Sequence, residues 1–393
     1  MAKQVAGLRS LLLLLLIICF PSSQAAYNVV SFGAKPDGQT DATQAFLNAW
    51  ASACNSAKPV TIYVPNGRYL LKPAVFGGPC KSRITILMMS GTTLVAPSDY
   101  RVIGNSGNWL LFNKVVDLII YGGTIDAQGH SYWACKRTAG NSCPGGARSM
   151  TFNYGRNIVI KGLTSINSQV SHIVFDGCTN ALVQGVKIIA PAKSPNTDGI
   201  HVQYSTGITI VGSTIRTGDD CISIGPGSTN LWIDRLKCGP GHGVSIGSLG
   251  KDMYEQGVQN VTVMNSVFRN TENGVRIKSW AKASYGFVRG VMYSNIIMRN
   301  VQNPIIIDQK YCPDYYGCPN QNSGVKVSQV IYKDIRGSSA TQVAIKFECS
   351  STNPCSGIKL QGVRLTYLNR PAQTSCNNAG GTATGSTMSG RCL

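Results

Sequence analysis

Acidic residues are scarce in this chain, with 17 Asp and Glu against 36 Lys and Arg among 393 residues. Charged residues of both signs make up only 13%, against 43% hydrophobic residues and 43 glycines. That balance excludes a highly charged disordered chain and leaves ample apolar material for one sizeable core. Long hydrophobic runs are also lacking. The one present, "LLLLLLIICF" from Leu11 to Phe20, is too short to span a bilayer, and no second candidate follows. Lys3 and Arg9 precede it and the small-residue stretch "SSQAA" follows, so residues 1–25 read as a secretory signal peptide. Its removal leaves residues 26–393 as a single secreted, soluble domain and lowers the formal charge from +19 to +17.

The sequence has no CxxC and no clustered Cys/His pattern, which argues against a zinc site. Apart from Cys19 in the leader, the cysteines fall into sequence neighbours: 54/80, 135/143, 221/238, 312/318, 349/355 and 376/392. Such spacing suits short cystine loops in an oxidising compartment, although spacing alone does not fix connectivity. Cys178 is left over and reads as a buried thiol. A strongly basic secreted chain calls for an anionic partner or setting. No nucleic-acid motif is present, so an acidic polysaccharide or anionic matrix fits better than nucleic acid. A basic surface serving solubility alone is the bland alternative.

What is present is a repeat. "NIVIKGLTSIN" begins at Asn157, "NALVQGVKII" at Asn180, "GITIVGSTIR" at Gly207, "NLWIDRLKC" at Asn230 and "NVTVMNSVFRN" at Asn260, with weaker copies at Asp117, Gly290, Val327 and Gly357. Each is a short Ile/Val-rich run with period-two alternation, broken by Gly, Asn, Asp or Ser. The spacings are 23, 27, 23 and 30 residues, and further strand-like stretches such as "DGIHVQ" and "HGVSIGS" lie between them. Two or three strands per period with no helix predict an all-β solenoid, a parallel β-helix. The leucine-rich-repeat consensus is missing; an all-β sandwich is the structural alternative. "TDATQAFLNAWASAC" (40–54) breaks the pattern with Phe46, Trp50 and Cys54 at helical spacing and reads as an N-terminal cap over the exposed core. "CNNAGGTATGSTMSGRC" at the other end reads as a loop tied by Cys376 and Cys392. Asparagines at coil corners read as stacked ladders, and Asn260 heads the one glycosylation sequon found.

The period explains an oddity, the adjacent carboxylates Asp219 and Asp220 in "TIRTGDDCISIG". Asp198 lies 22 residues before Asp220 and His242 another 22 after it. In stacked coils equivalent positions lie about 4.8 Å apart, so these residues share one strip. The next coil, beyond an insertion near Gly250–Gly257, adds Arg276 and Lys278 two residues apart on one face. Paired carboxylates suit glycoside hydrolysis, one protonating the leaving oxygen and another activating water. Arg276 and Lys278 would hold a substrate carboxylate, and His242 would tune the acid's proton. The competing reading is a calcium site formed by the aspartates with His242 merely buried. His201 reads as packing outside the site. His172, one coil earlier, stands as a candidate donor-side residue.

Four ordered motifs, "NTDG" (Asn196–Gly199), "GDDC" (Gly218–Cys221), "GHG" (Gly241–Gly243) and "RIK" (Arg276–Lys278), resemble those of plant polygalacturonases, pectin-hydrolysing members of glycoside hydrolase family 28. The likeness extends to "NVVSFGAKPDGQTDATQAF" and "NPIIIDQKYC", and so covers nearly the whole mature chain. The resemblance implies a right-handed parallel β-helix. It implies Asp219 as general acid, Asp198 and Asp220 on the attacking water, and inversion at the anomeric carbon. It further implies His242 in the catalytic site, Arg276 and Lys278 on galacturonate, Asn196 as an orienting residue and Tyr311 on the substrate side. No cofactor or metal is implied. The expected partner is pectin or polygalacturonate in the plant cell wall, with neither nucleic acid nor membrane, and the expected state is monomeric. An exo-acting or rhamnogalacturonan hydrolase, a pectate lyase and a non-catalytic wall-binding β-helix remain the alternatives. The absence of a large insertion favours cleavage within the polymer.

Overall fold

The computed structural model describes residues 25–393 except 140, 141, 314, 315, 388 and 391. Residues 1–24, nearly all of the segment read as a leader, lie outside the described residues. Within them, each Ile/Val-rich run becomes a strand paired in parallel with its counterparts one coil before and after. Ile158, Ala181, Ile208, Leu231, Val261 and Val291 stand in register across six coils, all buried. A coil holds three strands, for example Thr206–Val211, Thr214–Arg216 and Ile222–Ile224. The third strands form an 11-stranded sheet that runs from Ala74–Gly77 to Gln373–Asn377. The first two kinds merge into a second, larger sheet. The result is the predicted right-handed parallel β-helix.

Alternation along each strand sends one set of side chains inward, and stacking turns that set into columns. Behind the 11-stranded sheet a single column reads Phe76, Phe112, Phe152, Phe175, Val202, Ile224, Ile246, Ile277, Ile307 and Phe347. The four leading phenylalanines stack nearly parallel at centroid distances of 4.8, 5.1 and 5.2 Å. Branched aliphatics fill the middle of the column. Corners are set by residues that accept left-handed backbone geometry. Asn157, Asn180, Gly207, Asn230, Asn260 and Gly290 all have φ between 54 and 71° at one equivalent corner. The expected ladders are there: Asn157 donates to Asp117 (2.8 Å) and Asn260 to Asn230 (3.1 Å). The sequon nitrogen of Asn260 is therefore exposed but already engaged in its ladder.

Helix Thr43–Cys54 closes the N-terminal end. It buries Phe46 and Trp50, and the Trp50 ring lies 5.3 Å from Phe76 and 5.9 Å from Phe112. No side chain at the N-cap position itself caps the start of this helix. Ala42 holds the cap position, and the Asp41 carboxylate just before it accepts from the Thr43 amide and hydroxyl. Two further helices, Tyr100–Gly104 and His130–Ala139, sit in the connections ahead of the 11-stranded sheet and were not legible as periodic segments. The C-terminal segment read as a loop instead forms strands Gln373–Asn377 and Ala379–Thr384. Pairing to the preceding coil overrides its Gly/Ser/Thr composition. All six cystines pair as the spacing suggested, and Cys178 is a free, buried thiol.

Truncating the middle of the aromatic column tests this packing. Phe152→Ala should cost about 3–5 kcal/mol, read as a lower denaturant midpoint. An unchanged midpoint would show that neighbouring coils close over the gap.

Candidate active site

The turn between strands Thr214–Arg216 and Ile222–Ile224 carries the adjacent carboxylates. Ile200, Ile222, Val244 and Val275 are in register. Counting back two residues, Asp198, Asp220, His242 and Asn273 occupy the same place in four consecutive coils, as the 22-residue spacing predicted for the first three. Glycines let these turns nest. A Cβ on Gly243 (φ 86°) would lie 2.2 Å from the Asn273 carbonyl oxygen, and one on Gly241 (φ 147°) 2.7 Å from that of Asp219. Between them, the His242 amide donates to the Asp219 carbonyl (2.8 Å).

Asp220 is the fixed point of the cluster. It is 1% exposed, and its Oδ1 accepts from Ser245 Oγ (2.7 Å) and Arg276 Nη2 (2.9 Å). Its Oδ2 accepts from Lys278 Nζ (2.9 Å), while Arg276 Nε donates to Ser245 (2.9 Å). Burial works to raise the Asp220 pKa, but the Lys278 and Arg276 charges and the Ser245 hydrogen bond hold it down to about 2. Arg276 and Lys278, read as facing substrate, are thus themselves buried and committed to Asp220 with part of their donor capacity. Tyr311 lies beside them, its ring 5.0 Å from Lys278 Nζ and edge-on to Trp280 at 5.5 Å.

Asp219 faces a different set of groups. Its Oδ1 accepts from the Asp220 amide (2.7 Å) and from His242 Nδ1 (3.0 Å). No described residue bonds Oδ2. The other His242 nitrogen lies 3.3 Å from Glu272. Burial works to lower the His242 pKa, yet the Asp219 hydrogen bond and charge, with Glu272 behind them, raise it above the usual value. Asp198 behaves oppositely to Asp220. Burial, then the charges of Asp219 and Asp220, hold its carboxyl well above the usual range, against a hydrogen bond from Ser223 Oγ (2.5 Å).

The same Ser223 hydroxyl lies 2.7 Å from His201 Nδ1, so His201 belongs to the cluster after all, one group removed from Asp198. Asn196 is exposed at the rim in a left-handed turn (φ 56°), and its side chain makes no hydrogen bond to the acids. Its neighbour Thr197 ties the two turns together by accepting from the Gly218 amide (3.0 Å). His172 does not line the surface. It is fully buried with Nδ1 on Ser165 (2.8 Å), and burial pushes its pKa down to about 3.

Sequence reasoning missed Ser223, Ser245 and Glu272. A signal for the serines existed: His201, Ser223 and Ser245 each follow Asp198, Asp220 and His242 by three residues, so they form a parallel outward column. Asp219, Asp220 and His242 also offer ligand atoms within 4.8 Å of one another. A cation there would have to displace or face Arg276 and Lys278, so the donor set fits a proton better than a metal ion.

The sequence profile of Glycosyl hydrolases family 28 matches residues 54–387. A polygalacturonase from Prunus persica is 54% identical over 394 residues, covering 99% of this chain and 100% of that protein. Among solved structures, the endo-xylogalacturonan hydrolase from Aspergillus tubingensis aligns with TM-score 0.78 at 24% identity, over 93% of this chain and 100% of that one, a likeness of fold. The polygalacturonase from Erwinia carotovora aligns with TM-score 0.68 at 25% identity, over 94% and 98%.

The depressed Asp220 pKa makes stability depend on pH. Its contribution is complete above the ordinary carboxylate value of 3.8 and is lost as pH falls toward about 2. Asp220→Asn, although less stable at every pH, should therefore lose less of its melting temperature between about pH 4 and 2 than the parent protein. Parallel melting curves across that window would remove Asp220 from the acid response.

Proposed function

The chain belongs to glycosyl hydrolases family 28, and from that premise we propose that it hydrolyses α-1,4 bonds between galacturonic acid residues of pectin or polygalacturonate. The observation that carries the reading is the unequal treatment of three neighbouring carboxyls. One is locked ionised by two buried cations, one is pushed toward protonation, and one keeps an oxygen free beside a histidine. Hydrolysis with inversion needs such inequality, since one group must give a proton while another takes one.

Asp219 is the general acid: with Oδ1 occupied by two donors, Oδ2 carries the proton to the leaving glycosidic oxygen. His242, donating to Asp219 Oδ1 and held against Glu272 on its other side, keeps that carboxyl oriented. Asp198 and Asp220 flank the attacking water. Asp220 supplies fixed negative charge, and Asp198, with its raised proton affinity, takes the water's proton. The remaining N–H donors of Arg276 and Lys278, next to the Tyr311 ring, hold a galacturonate carboxylate, and Asn196 contributes from the rim. Six cystines and the leader-like N-terminus support secretion into an oxidising compartment, the cell wall being where such a substrate lies. The absence of a large insertion supports action within the polymer.

Asp219→Asn should lower turnover by roughly 10²–10⁴-fold while leaving the fold intact, as removal of a general acid does. Near-normal turnover in a folded variant would reassign the acid. Activity should survive exhaustive chelation, and the product should carry new reducing ends without new ultraviolet absorbance. Calcium-dependent activity with an unsaturated product would replace the hydrolase with a lyase. Early digestion should yield a ladder of oligomers; galacturonate alone at early times would make the enzyme exo-acting.

A further inference from the structure

A second charged surface lies around the corner from the acids. Strands Lys187–Ile189, Thr214–Arg216, Lys237–Cys238 and Val267–Arg269 lie side by side, and Val267–Arg269 pairs in turn with Ile297–Arg299. Their outer face holds a groove of about 330 Å³ floored by Cys238 and Gly239 and flanked by Arg216, Lys237, Arg269 and Arg299. Lys187 continues this stripe at one end, and Arg336 and Arg364, in register with it, continue it at the other. All seven cations are exposed.

What sets these cations apart is their alignment along one groove. Most other surface lysines and arginines among the described residues also lack an acid partner, and only a few are paired. Lys72, Arg101, Arg235 and Lys310 each pair with an acid within 3.1 Å. None of the four groove cations has a side-chain hydrogen bond or ion pair among the described residues. With a coil rise of about 4.8 Å, Lys187 and Lys237 stand roughly 10 Å apart and Arg269 and Arg299 roughly 5 Å apart. A row of like charges this dense repels itself, and an acid-poor chain has little with which to offset it.

We propose that this stripe is a second, non-catalytic binding site for acidic polysaccharide, a track on which a polyuronate lies along the solenoid axis. The ligand's chemical class rests on the substrate proposed above. A chain with a carboxylate on every residue supplies anions at intervals comparable to the coil rise, and a straight, rigid row of cations suits an extended polymer. The stripe runs parallel to the catalytic turns. Arg216 precedes Asp219 by three residues, and Arg269 precedes Glu272 by three. A long polymer can therefore be held on the track while another stretch of it, or a neighbouring chain, enters the site. A short oligomer in the site does not reach the track.

The test is the full-length Arg216→Gln/Lys237→Gln/Arg269→Gln/Arg299→Gln variant, with Arg269→Gln/Arg299→Gln as a milder version should the fourfold change impair folding. Retention in polygalacturonate-containing gels, against gels containing neutral polysaccharide or single-stranded DNA, reads binding. Rates on polymer and on a short oligogalacturonide read its consequence. Retention by polygalacturonate should fall and KM on polymer should rise roughly tenfold, less at high salt, with kcat/KM on the oligomer within about twofold of the parent. Unchanged retention and polymer KM would overturn the proposal. So would an equal loss on the oligomer, which would merge the stripe with the catalytic cleft. Equal retention on DNA, lost equally in the variant, would reduce it to a general polyanion patch. A parent protein that cleaves no polygalacturonate would overturn the catalytic reading, while the retention arms still decide the track.

Discussion

Coil-on-coil backbone pairing is the constraint on which everything else rests. Each strand hydrogen-bonds to its equivalents above and below, so a residue's height and direction are set by its register and not by its local sequence. The acids are held at one height per coil because Ile200, Ile222 and Val244 are stacked beneath them. The same pairing aligns the Phe column, the corner asparagines and the cations of the outer stripe. A one-residue slip in a single strand would send the inward column out to solvent and break the site with it. The nesting glycines of the GHG turn belong to this constraint, since a side chain at Gly243 would push two coils apart.

On that scaffold the buried triad of Asp220, Arg276 and Lys278 has a defined electrical imbalance. Burying ions costs several kcal/mol each, and only close pairing offsets it. Here two cations share one carboxylate, so the interior carries one positive charge more than Asp220 cancels. Asp198 makes no ion pair with either cation among the described residues. An incoming carboxylate would complete the neutralisation, which couples the proposed recognition of galacturonate directly to the state of the acids. The same two cations that keep Asp220 ionised leave Asp198 as the group able to accept a proton, because three charged carboxylates cannot share so small a volume.

Much of this was legible in the residues, and the parts that were not share physical reasons. The β-helix, the stacked aspartates and the cystine pairs follow from periodicity and spacing, which stacking preserves. His201 was set aside because alternation points it away from Ile200, but alternation also points Ser223 outward in the next coil, and the two meet there. Glu272 was hidden by the longer coil between His242 and Arg276, where no regular spacing survives. The commitment of Arg276 and Lys278 to Asp220 joins residues 56 and 58 positions apart, across two coil steps, and depends on side-chain reach and not on register. The strands near the C-terminus carry few residues that favour strands, and only the edge of the preceding coil explains them.

The scarcity of acid noted at the outset has an electrostatic consequence for the site itself. Several of the few acids present serve local turns: Asp37, Asp41 and Asp99 cap their neighbours and accept from backbone amides. Those in the active-site cluster would, taken alone, repel an anionic polymer. Arg276 and Lys278 cancel the nearest of these charges, and the unpaired cations on the outer stripe turn the wider field positive. A surface dominated by one sign raises the local concentration of the opposite sign and speeds its encounter with the cleft, an effect that salt weakens. The excess of lysine and arginine therefore answers a conflict built into the chemistry, since a site that must hold three carboxyls has to attract a fourth.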